Sequence, residues 1–443
     1  MTLTGWGRSS RARGLACRPE RLSEARAAMA LAESGRGLIA HGAGRSYGDA
    51  ALNDQGRVLL TRRLDRLLDF DPATGLLTAE PGVTFADLLH TFLPRGWIAP
   101  ATPGTAFATL GGAVANDIHG KNHDRAGSFG DHLEWVDLLL PSGEIVRASP
   151  NERPQLFAAT IGGLGLTGVI VALAVRLMRT PSTAVSLTER RVADLDAFLS
   201  ALQEARAAAT YSVGWIDGLA RGRVLGRGVL ELAEPAEGAP GALRWRKPRP
   251  VPVNLPGFAL NPVTVGLFNS VYRRRVPAAG RERLVPYDRF LYPLDSLDRW
   301  NRIYGRRGFY QFQCVIPDPE APAGLRRLLD EIASARSASF LAVLKTLGGE
   351  GRGHLSFPLR GYTLALDFPR RAGVDELMGR LERITLDHGG RIYLAKDAVL
   401  SAAGFGAMYP RLGEFRAVLD MVDPKRRLNS DMARRLRIRE VAP

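Results

Sequence analysis

The stretch DIHGKNHDRAGSFGDH, residues 117–132, concentrates the side chains of this sequence that could do chemistry. It contains three of the chain's seven histidines, together with a lysine, three aspartates and three glycines. His119 and Lys121 are two residues apart on a segment flanked by glycines, so both side chains can face one point without helix or strand geometry. Histidine and lysine are residue types that transfer protons and bind anions. The stretch therefore predicts an active-site segment.

The aspartates of the same stretch do not predict a metal site. Asp117, Asp124 and Asp131 are spaced seven residues apart, which matches neither a calcium-binding loop nor a zinc motif. We expect His123 and His132 to support the segment or to lie at the surface. No metal is predicted.

Three segments rich in glycine and other small residues precede, overlap or follow this stretch. They are HGAGRSYGD (41–49), TPGTAFATLGGAVANDIHG (102–120) and TIGGLGLTGVI (160–170). Gly42, Gly44 and Gly48 have the spacing GxGxxxG, which differs from the GxGxxG of a Rossmann dinucleotide site. Alone, the first segment is either a plain glycine turn or an anion-binding loop of backbone N–H groups. Together, the three predict one large cofactor whose diphosphate lies against the main chain.

The strands and helices predicted from the sequence must position these segments. The patterns predict strands within 36–44 and 56–61, hairpins within 67–82 and 135–146, and helices within 84–93 and 374–390, with strand or helix patterns resuming at 308–319 and 338–348. Thr84 is the expected N-cap of the first helix. Residues 234–282 keep no period of 2 or 3.6, and they predict a long, mobile, basic and apolar loop region.

The positive charge of the chain indicates an anionic partner. The formal net charge is +15, and residues 241–285 contain nine Lys or Arg but one acid, Glu282. Such a segment favours phosphates, anionic lipid or nucleic acid without choosing among them. The N-terminus lacks the apolar stretch of a secretory signal, and the longest apolar run, GVIVALAV (168–175), is too short to cross a bilayer. We expect a soluble protein or one bound to a membrane surface, with Cys17 and Cys314 as free thiols.

Five stretches resemble the vanillyl-alcohol-oxidase-type family of FAD-binding flavoproteins, and in particular its decaprenylphosphoryl-β-D-ribose 2-oxidase branch. They are GRSYGDAALN (44–53), TPGTAFATLGGAVANDIHGKNHDRAGSFGDH (102–132), YLAKDA (393–398), AMYP (407–410) and SDMARRL (430–436). The resemblance runs from about residue 36 to the C-terminus and thins across 180–300. The HGKNH and YxAKD elements carry it most specifically, because glycine turns are common to many flavoproteins.

The resemblance implies an α+β fold with two domains, one of the vanillyl-alcohol-oxidase FAD-binding type and one built on an antiparallel sheet that binds the substrate. Residues 1–183 would form the first part of the FAD-binding domain. Residues 184–390 would form the substrate-binding domain, including the mobile basic loop near 234–282. Residues 391–443 would return to the FAD-binding domain.

The resemblance also implies a set of cofactor-binding residues. Those that would bind FAD are Ala40, His41, Gly42, Ala43, Gly44, Arg45, Ser46, Tyr47, Gly48, Asp49, Ala50, Gly104, Thr109, Leu110, Gly111, Gly112, Asn116, Asp117, Ile118, His119, Ile170 and Tyr393. Many relatives attach FAD covalently through a histidine directly after the GxG turn. Arg45 occupies that position here, so we expect non-covalent FAD.

The substrate-binding residues follow from the same resemblance. Those that would line the substrate pocket are Tyr47, Lys121, Trp215, Gln311, Gln313, Lys345 and Lys396. The expected catalytic residues are Lys396, His119 and Lys121, with Lys396 positioning or deprotonating a sugar hydroxyl and His119 ordering the flavin and ribose. Ala365, Thr363 and Leu347 depart from the family pattern, which leaves a different polyprenyl chain or phosphosugar open.

The implied reaction is FAD-dependent oxidation of the 2-hydroxyl of a polyprenylphosphoryl-β-D-ribose to the 2-keto sugar. It would be the first half of epimerisation to the arabinose donor for cell-wall arabinan, completed by a partner NAD(P)H-dependent keto-reductase. The expected location is peripheral to the inner membrane, with the cytoplasmic face favoured and the periplasmic side left open, and no nucleic-acid partner is expected. Two alternatives stay open: an FAD-dependent oxidase of a soluble alditol or aldonolactone, and a basic membrane- or nucleic-acid-binding protein with a vestigial flavin site.

Overall fold

Two sheets dominate the part of the chain that carries the glycine segments. The computed structural model describes residues 1–33, 36–238, 248–337 and 340–440. A parallel three-stranded sheet has the order Leu15–Cys17, Arg57–Leu60, Leu38–His41. An antiparallel five-stranded sheet has the order Ile145–Ala148, Leu133–Leu139, Val169–Arg176, Leu76–Ala79, Leu67–Asp71.

A single antiparallel sheet of eight strands forms the framework of the middle of the chain. Its order is Arg281–Pro286, Ala184–Val192, Gly228–Pro235, Tyr211–Ile216, Ala342–Leu347, Gly361–Pro369, Phe309–Pro317, Arg391–Ile392. The sheet thus begins at Ala184 and ends at Ile392 in the sequence, while the domain boundaries after residues 183 and 390 stay a prediction.

The remaining described elements are short strand pairs and helices. The strand pairs are Thr2–Thr4 with Arg11–Arg13, Trp97–Ile98 with Met178–Arg179, and Arg249–Pro250 with Leu297–Asp298. The α-helices are Leu22–Ala30, Phe85–Phe92, Leu110–Ala115, His123–Ala126, Pro154–Thr160, Leu195–Ala208, Pro262–Arg274, Tyr287–Leu291, Ala321–Ala335, Val374–Asp387, Ala402–Met408, Leu412–Val422 and Asp431–Arg435. The short 3₁₀ helices are Thr61–Arg63, Leu93–Arg95, Phe129–His132, Gly222–Val224, Pro293–Ser296 and Trp300–Tyr304. Among the helices of the described ranges, none combines the length and apolar character that crossing a membrane requires.

Local sequence signals explain the elements that were predicted. Thr84 caps the Phe85–Phe92 helix through a reciprocal pair of hydrogen bonds with Asp87, and the helix buries its apolar side in the core. In the hairpin Leu67–Asp71/Leu76–Ala79, the carboxylate of Asp71 accepts hydrogen bonds from the turn residues. The predicted hairpins, both predicted helices and the strands within 36–44 and 56–61 are confirmed, and the patterns at 308–319 and 338–348 are strands.

The prediction of an aperiodic loop over 234–282 is wrong for its second half. Pro262–Arg274 is a helix of 13 residues, capped by Asn261 in a capping box with Thr264 and with Pro262 in its first turn. Its apolar residues lie on its outer side as well as its inner side, so no single apolar stripe with a period of 3.6 is visible in the sequence. Residues 239–247 of the predicted loop lie outside the described residues.

The C-terminal segment returns to the glycine segments through hydrogen bonds and one ion-pair cluster. The backbone N–H of Asp431 donates to the carbonyl of Leu52. The guanidinium of Arg435 donates to both carboxylate oxygens of Asp49 and to Asp397. The C-terminal segment therefore packs against the first glycine segment, and the two form one continuous part of the structure.

Candidate active site

A cavity of about 760 Å³ lies between the glycine segments and the eight-stranded sheet. That volume is within the range of small-molecule and cofactor pockets. The predicted FAD-binding residues that line it are Ala40, Gly42, Ala43, Gly44, Arg45, Ser46, Tyr47, Ala50, Gly104, Thr109, Gly111, Gly112, Asn116, Ile118, His119, Ile170 and Tyr393. Every predicted substrate-binding residue also lines it: Tyr47, Lys121, Trp215, Gln311, Gln313, Lys345 and Lys396.

The glycines of the first wall allow separate segments of main chain to meet. A Cβ atom on Gly42 would lie 2.4 Å from the hydroxyl oxygen of Thr109, and one on Gly111 would lie 2.7 Å from the Cβ atom of Pro81. A Cβ atom on Gly104 would have no atom within 4 Å, because Gly104 faces the open cavity. A side chain at Gly42 or Gly111 would push neighbouring segments apart, whereas glycine leaves their backbone beside the cavity.

Three polar atoms of residues on this cavity wall are buried without a hydrogen-bond partner in the described part of the chain. They are Nε of Arg45, Oδ1 of Asn116 and Nδ1 of His119. A buried polar group without a partner costs about 1–3 kcal/mol, so native proteins rarely contain three around one cavity. Donors and an acceptor beside a glycine-walled cavity fit a large ligand with polar edges, as FAD is.

Three of the predicted FAD-binding residues in the first glycine segment lie behind the cavity wall and support it. His41 is buried, and its Nδ1 lies 2.9 Å from the carbonyl oxygen of Ala51. Gly48 packs against the main chain, where a Cβ atom would lie 1.9 Å from the carbonyl oxygen of Asp397. Asp49 is held by the ion pair to Arg435 described above. The structure thus gives these residues a supporting position, and their direct contact with the cofactor stays a prediction.

Leu110 and Asp117 also lie behind the cavity wall. Leu110 is fully buried in the core. Asp117 is fully buried too, has a positive φ of 39°, and accepts hydrogen bonds from the hydroxyl of Ser356 and the N–H of Gly130. Burial raises the pKa of Asp117 to about 6. Its hydrogen bonds fix the backbone that leads into His119, so it positions the site without lining it.

Lysine is concentrated in this cavity. The chain contains only five lysines among 60 basic residues, and three of them, Lys121, Lys345 and Lys396, line the cavity. Lys425 is exposed, and Lys247 lies outside the described residues. A lysine ammonium can lose its proton when it is buried, whereas an arginine guanidinium stays charged. The choice of lysine therefore indicates groups that can titrate.

Lys396 lies over the phenol ring of Tyr47 and within electrostatic range of the Asp367 carboxylate. Its Nζ is 3.9 Å from the centroid of the Tyr47 ring. Burial lowers the pKa of Lys396 to about 8, and the negative charge of Asp367 opposes that decrease. Asp367 is fully buried, and it accepts hydrogen bonds of 2.6 Å from Gln311 and 2.9 Å from Tyr304. Burial raises the pKa of Asp367 to about 7. The Lys396 amine can thus exchange a proton near neutral pH.

His119 is held by an amide on the opposite wall. Gln313 donates from Nε2 to Nε2 of His119 over 3.0 Å, and the same amide donates to the hydroxyl of Thr363 over 3.2 Å. With Nε2 as the acceptor, the ring proton is on Nδ1, the atom that lacks a partner in the described residues. Burial, followed by the nearby lysine charges, holds the pKa of His119 well below its usual value. The neutral ring therefore offers one N–H donor.

Lys121 and Lys345 are tied to main-chain carbonyl groups. Lys121 donates to the carbonyl of Phe290 and also lies over the Phe290 ring. Lys345 donates to the carbonyl of Gly120 over 2.8 Å. Burial is the main cause that lowers the pKa of both, and the pKa of Lys345 reaches about 7. Each ammonium group has three donors, so each can also bind an anion.

Sequence reasoning missed two kinds of site residue. Asp367 interrupts the apolar strand Gly361–Pro369, and a lone carboxylate in such a strand is the signal that could have identified it. The second kind is an apolar and aromatic part of the wall. Its members include Trp6, Phe268, Tyr272, Leu291, Leu294, Leu297, Trp300, Ile303, Phe340 and Leu341. No motif connects these residues, because they come from separate segments that only the fold assembles.

Comparison with known proteins identifies the family. A model of the FAD-binding domain matches residues 15–149, and a model of D-arabinono-1,4-lactone oxidase matches residues 363–436. Decaprenylphosphoryl-beta-D-ribose oxidase of Mycolicibacterium smegmatis is 37% identical over 98% of this chain and 97% of that protein. The chain belongs to the decaprenylphosphoryl-β-D-ribose oxidase family. It is an FAD-dependent oxidoreductase, and FAD is its cofactor.

More distant relatives are named as oxidoreductases too. Alditol oxidase of a Streptomyces species is 26% identical over 92% of both chains. D-lactate dehydrogenase of Anaerostipes hadrus is 27% identical over 30% of this chain and 29% of that protein. The two-domain α+β fold of the vanillyl-alcohol-oxidase type is confirmed. Family membership also favours an oxidase over a binding protein with a vestigial flavin site.

Proposed function

We propose that this enzyme oxidises the 2-hydroxyl of a polyprenylphosphoryl-β-D-ribose to the 2-keto sugar. The observation that carries the proposal is the meeting of three of the chain's five lysines in one cavity that also has a glycine wall for FAD. An alcohol with an attached phosphate requires both a group that accepts a proton and groups that neutralise negative charge. The three lysines can supply both the proton acceptor and the groups that neutralise the phosphate.

Lys396 is the proposed proton acceptor. Bound FAD would supply the acceptor for the hydride that leaves C2 of the sugar, so the sugar loses two electrons and the cofactor gains them. The hydroxyl proton passes to the neutral amine of Lys396, whose pKa of about 8 leaves roughly a tenth of the amine unprotonated at neutral pH, against far less than a hundredth for an ordinary lysine. The ketone forms as the C2–H and O–H bonds break. An arginine in place of Lys396 could not accept this proton, because its guanidinium stays charged.

Lys121 and Lys345 are the proposed phosphate-binding residues. Both side chains line the cavity, and their ammonium groups are close enough for the charge of Lys121 to contribute to the lowered pKa of Lys345. A bound phosphate would favour their charged forms and so raise the pKa values that burial has lowered. His119, held neutral by its surroundings, would order the flavin and the ribose through its Nδ1–H.

The product and the place of the reaction extend the proposal. A 2-keto sugar needs a reductase that returns a hydride to the other face of C2, which is the role of a partner NAD(P)H-dependent keto-reductase. The pair would make the arabinose donor for cell-wall arabinan. Because the substrate is joined to a polyprenyl chain, we propose peripheral contact with the inner membrane, on its cytoplasmic face.

The test is the visible spectrum of the purified holoenzyme under anaerobic conditions. Adding polyprenylphosphoryl ribose should bleach the oxidised flavin band, whereas the same sugar without its phosphate should bleach it far more slowly. Acid precipitation should release all of the flavin, because Arg45 stands where other flavoproteins have an attachment histidine. A band that stays oxidised with the phosphosugar would contradict the proposed substrate.

An oxidase of a soluble alditol or aldonolactone is the second candidate. The match of residues 363–436 to the D-arabinono-1,4-lactone oxidase model favours it. Such substrates carry no phosphate, so they give Lys121 and Lys345 no anion to bind. Faster bleaching by an alditol or a lactone than by the phosphosugar would establish this second candidate.

A further inference from the structure

Exposed apolar side chains are concentrated in one stretch of the chain. Among the described residues, sixteen large apolar side chains are exposed, and eight of them fall within residues 253–297. The eight are Val253, Phe258, Val263, Leu267, Phe268, Val271, Leu284 and Leu297. Scattered exposed apolar residues are ordinary, but a concentration of this kind marks an interaction surface.

The Pro262–Arg274 helix is the centre of this region, and its two sides differ. Val263, Leu267 and Val271 are spaced four residues apart on its outer side, and they are 79%, 67% and 61% exposed. On its inner side, the buried side chain of Asn269 donates to the carboxylate of Asp217 over 2.7 Å. The helix is thus fixed to the protein while an apolar stripe faces outward.

The same helix forms part of the wall of the active-site cavity. Phe268 and Tyr272 line the cavity, and their rings stack with centroids 5.6 Å apart. Tyr272 also contacts the predicted substrate residue Trp215, with ring centroids 4.7 Å apart. One short helix therefore separates the cavity from an exposed apolar surface.

The segment around the helix carries an excess of positive charge. Over the same residues, 253–297, there are six arginines and three acids, Glu282, Asp288 and Asp295. Three of these arginines form ion pairs with acids of neighbouring strands, the buried Glu189 and Glu231, so three positive charges meet two negative ones. The three are Arg275, Arg281 and Arg283.

This charge indicates what covers the apolar stripe. Two copies of the surface would repel each other, because both carry the same excess of positive charge. An anionic bilayer offers negative charge at its surface and an apolar interior beneath it. A lipid surface therefore matches both features of the region, whereas a second copy of the chain matches only the apolar one.

We propose that the Pro262–Arg274 helix lies in the surface of an anionic bilayer and forms the entrance through which a lipid-linked substrate reaches the cavity. The outer stripe enters the headgroup boundary, and the arginines contact lipid phosphates. Phe268 and Tyr272, which line the cavity, then contact the lipid chain where it leaves the bilayer. This inference rests on the proposed function, because only a lipid-linked substrate needs such an entrance.

The experiment compares Leu267→Glu with Met421→Glu in the holoenzyme. Both side chains are exposed on helices, 67% for Leu267 and 62% for Met421, and both changes add one negative charge. We measure sedimentation with vesicles of neutral lipid containing about 30% anionic lipid. Leu267→Glu should weaken vesicle binding by about tenfold or more, while Met421→Glu should bind like the parent enzyme.

Two substrates separate this inference from the proposed function. On vesicle-embedded polyprenylphosphoryl ribose, Leu267→Glu should be slow, whereas on a water-soluble short-chain analogue it should match the parent enzyme. Equal vesicle binding by all three proteins would overturn the inference, as would a dimer in sedimentation velocity that Leu267→Glu dissociates. If the parent enzyme bound vesicles but oxidised neither substrate, the proposed function would fail instead.

Discussion

The two walls of the cavity are built in different ways. The first wall is largely main chain, where glycines such as Gly42 and Gly111 let neighbouring segments approach closely. The second consists of long side chains from separate elements: Gln311 and Gln313 from one strand, Lys345 from another. A main-chain wall depends on residue types within a short segment, whereas a side-chain wall depends on the register of the whole sheet.

Because of this difference, we expect the first wall to determine FAD binding and the second to determine the rate of the reaction. Changes in the glycine wall should affect the retention of FAD and the stability of the fold together, because the same backbone forms both. Changes in the side-chain wall should leave FAD bound and alter the rate, except at Gln313, whose hydrogen bond to His119 joins this wall to the glycine wall. Each prediction below tests that separation.

The largest effect is expected for Lys396→Met. The variant should retain FAD but reduce the flavin about 10²–10⁴ times more slowly, the usual contribution of a positioned proton acceptor. Stopped-flow bleaching under anaerobic conditions measures the rate. Lys396→Arg keeps the charge but cannot accept a proton, so it should be as slow as Lys396→Met, and exposed Lys425→Met should be normal. Full activity of Lys396→Arg would exclude proton transfer to this residue.

The pH dependence of the same rate should follow the pKa of Lys396. Only the neutral amine accepts a proton, so the rate should be half-maximal near pH 8, should level off about one pH unit above that value, and should fall as the pH decreases through it. Well below the midpoint the decrease should approach about tenfold per pH unit. Single-turnover bleaching across this range measures the midpoint. A rate that rises toward low pH would contradict the assignment.

Asp367→Asn should move that midpoint. The negative charge of Asp367 raises the pKa of Lys396, so replacing the carboxylate with an amide should shift the midpoint to lower pH. The amide keeps a polar group beside Gln311 and Tyr304. Single-turnover bleaching of the variant measures the shift. An unchanged midpoint would show that the two residues do not interact during the reaction.

The sequence predicted the glycine wall better than the side-chain wall. Motifs with glycine signal a local backbone requirement, and most of the residues assigned to FAD from them line the cavity. Asp367 was missed because its role arises from register: it pairs with Gln311 across two strands that are distant in sequence. The Pro262–Arg274 helix was missed because it has apolar residues on its exposed side as well as its buried side, so its sequence lacks the period of an amphipathic helix. The proposed contact with a bilayer would account for the exposed apolar residues.

Gly48→Ala tests the tight packing that supports the glycine wall from behind. The new Cβ atom would lie 1.9 Å from the carbonyl oxygen of Asp397, so the first and last segments of the chain must separate. Overpacking of this kind costs about 1–3 kcal/mol, and FAD affinity should fall with the free energy of unfolding. Urea unfolding and flavin release measure the two quantities. Gly379→Ala, in a helix with nothing within 4 Å, should instead be neutral or stabilising.

The smallest effect is expected where the two walls touch, at Gln313→Leu. This change removes the hydrogen bonds from Gln313 to His119 and Thr363, which join the side-chain wall to the glycine wall. Losing the hydrogen bond to His119 should weaken FAD binding by about 1 kcal/mol, the usual net contribution of one hydrogen bond. Because His119 would keep its place but lose its fixed tautomer, FAD affinity should fall about fivefold while the unfolding midpoint changes little. Flavin fluorescence titration measures the affinity, with exposed Gln203→Leu as the control. A rate that falls while FAD affinity stays constant would place Gln313 with the chemistry of Lys396 and not with the cofactor.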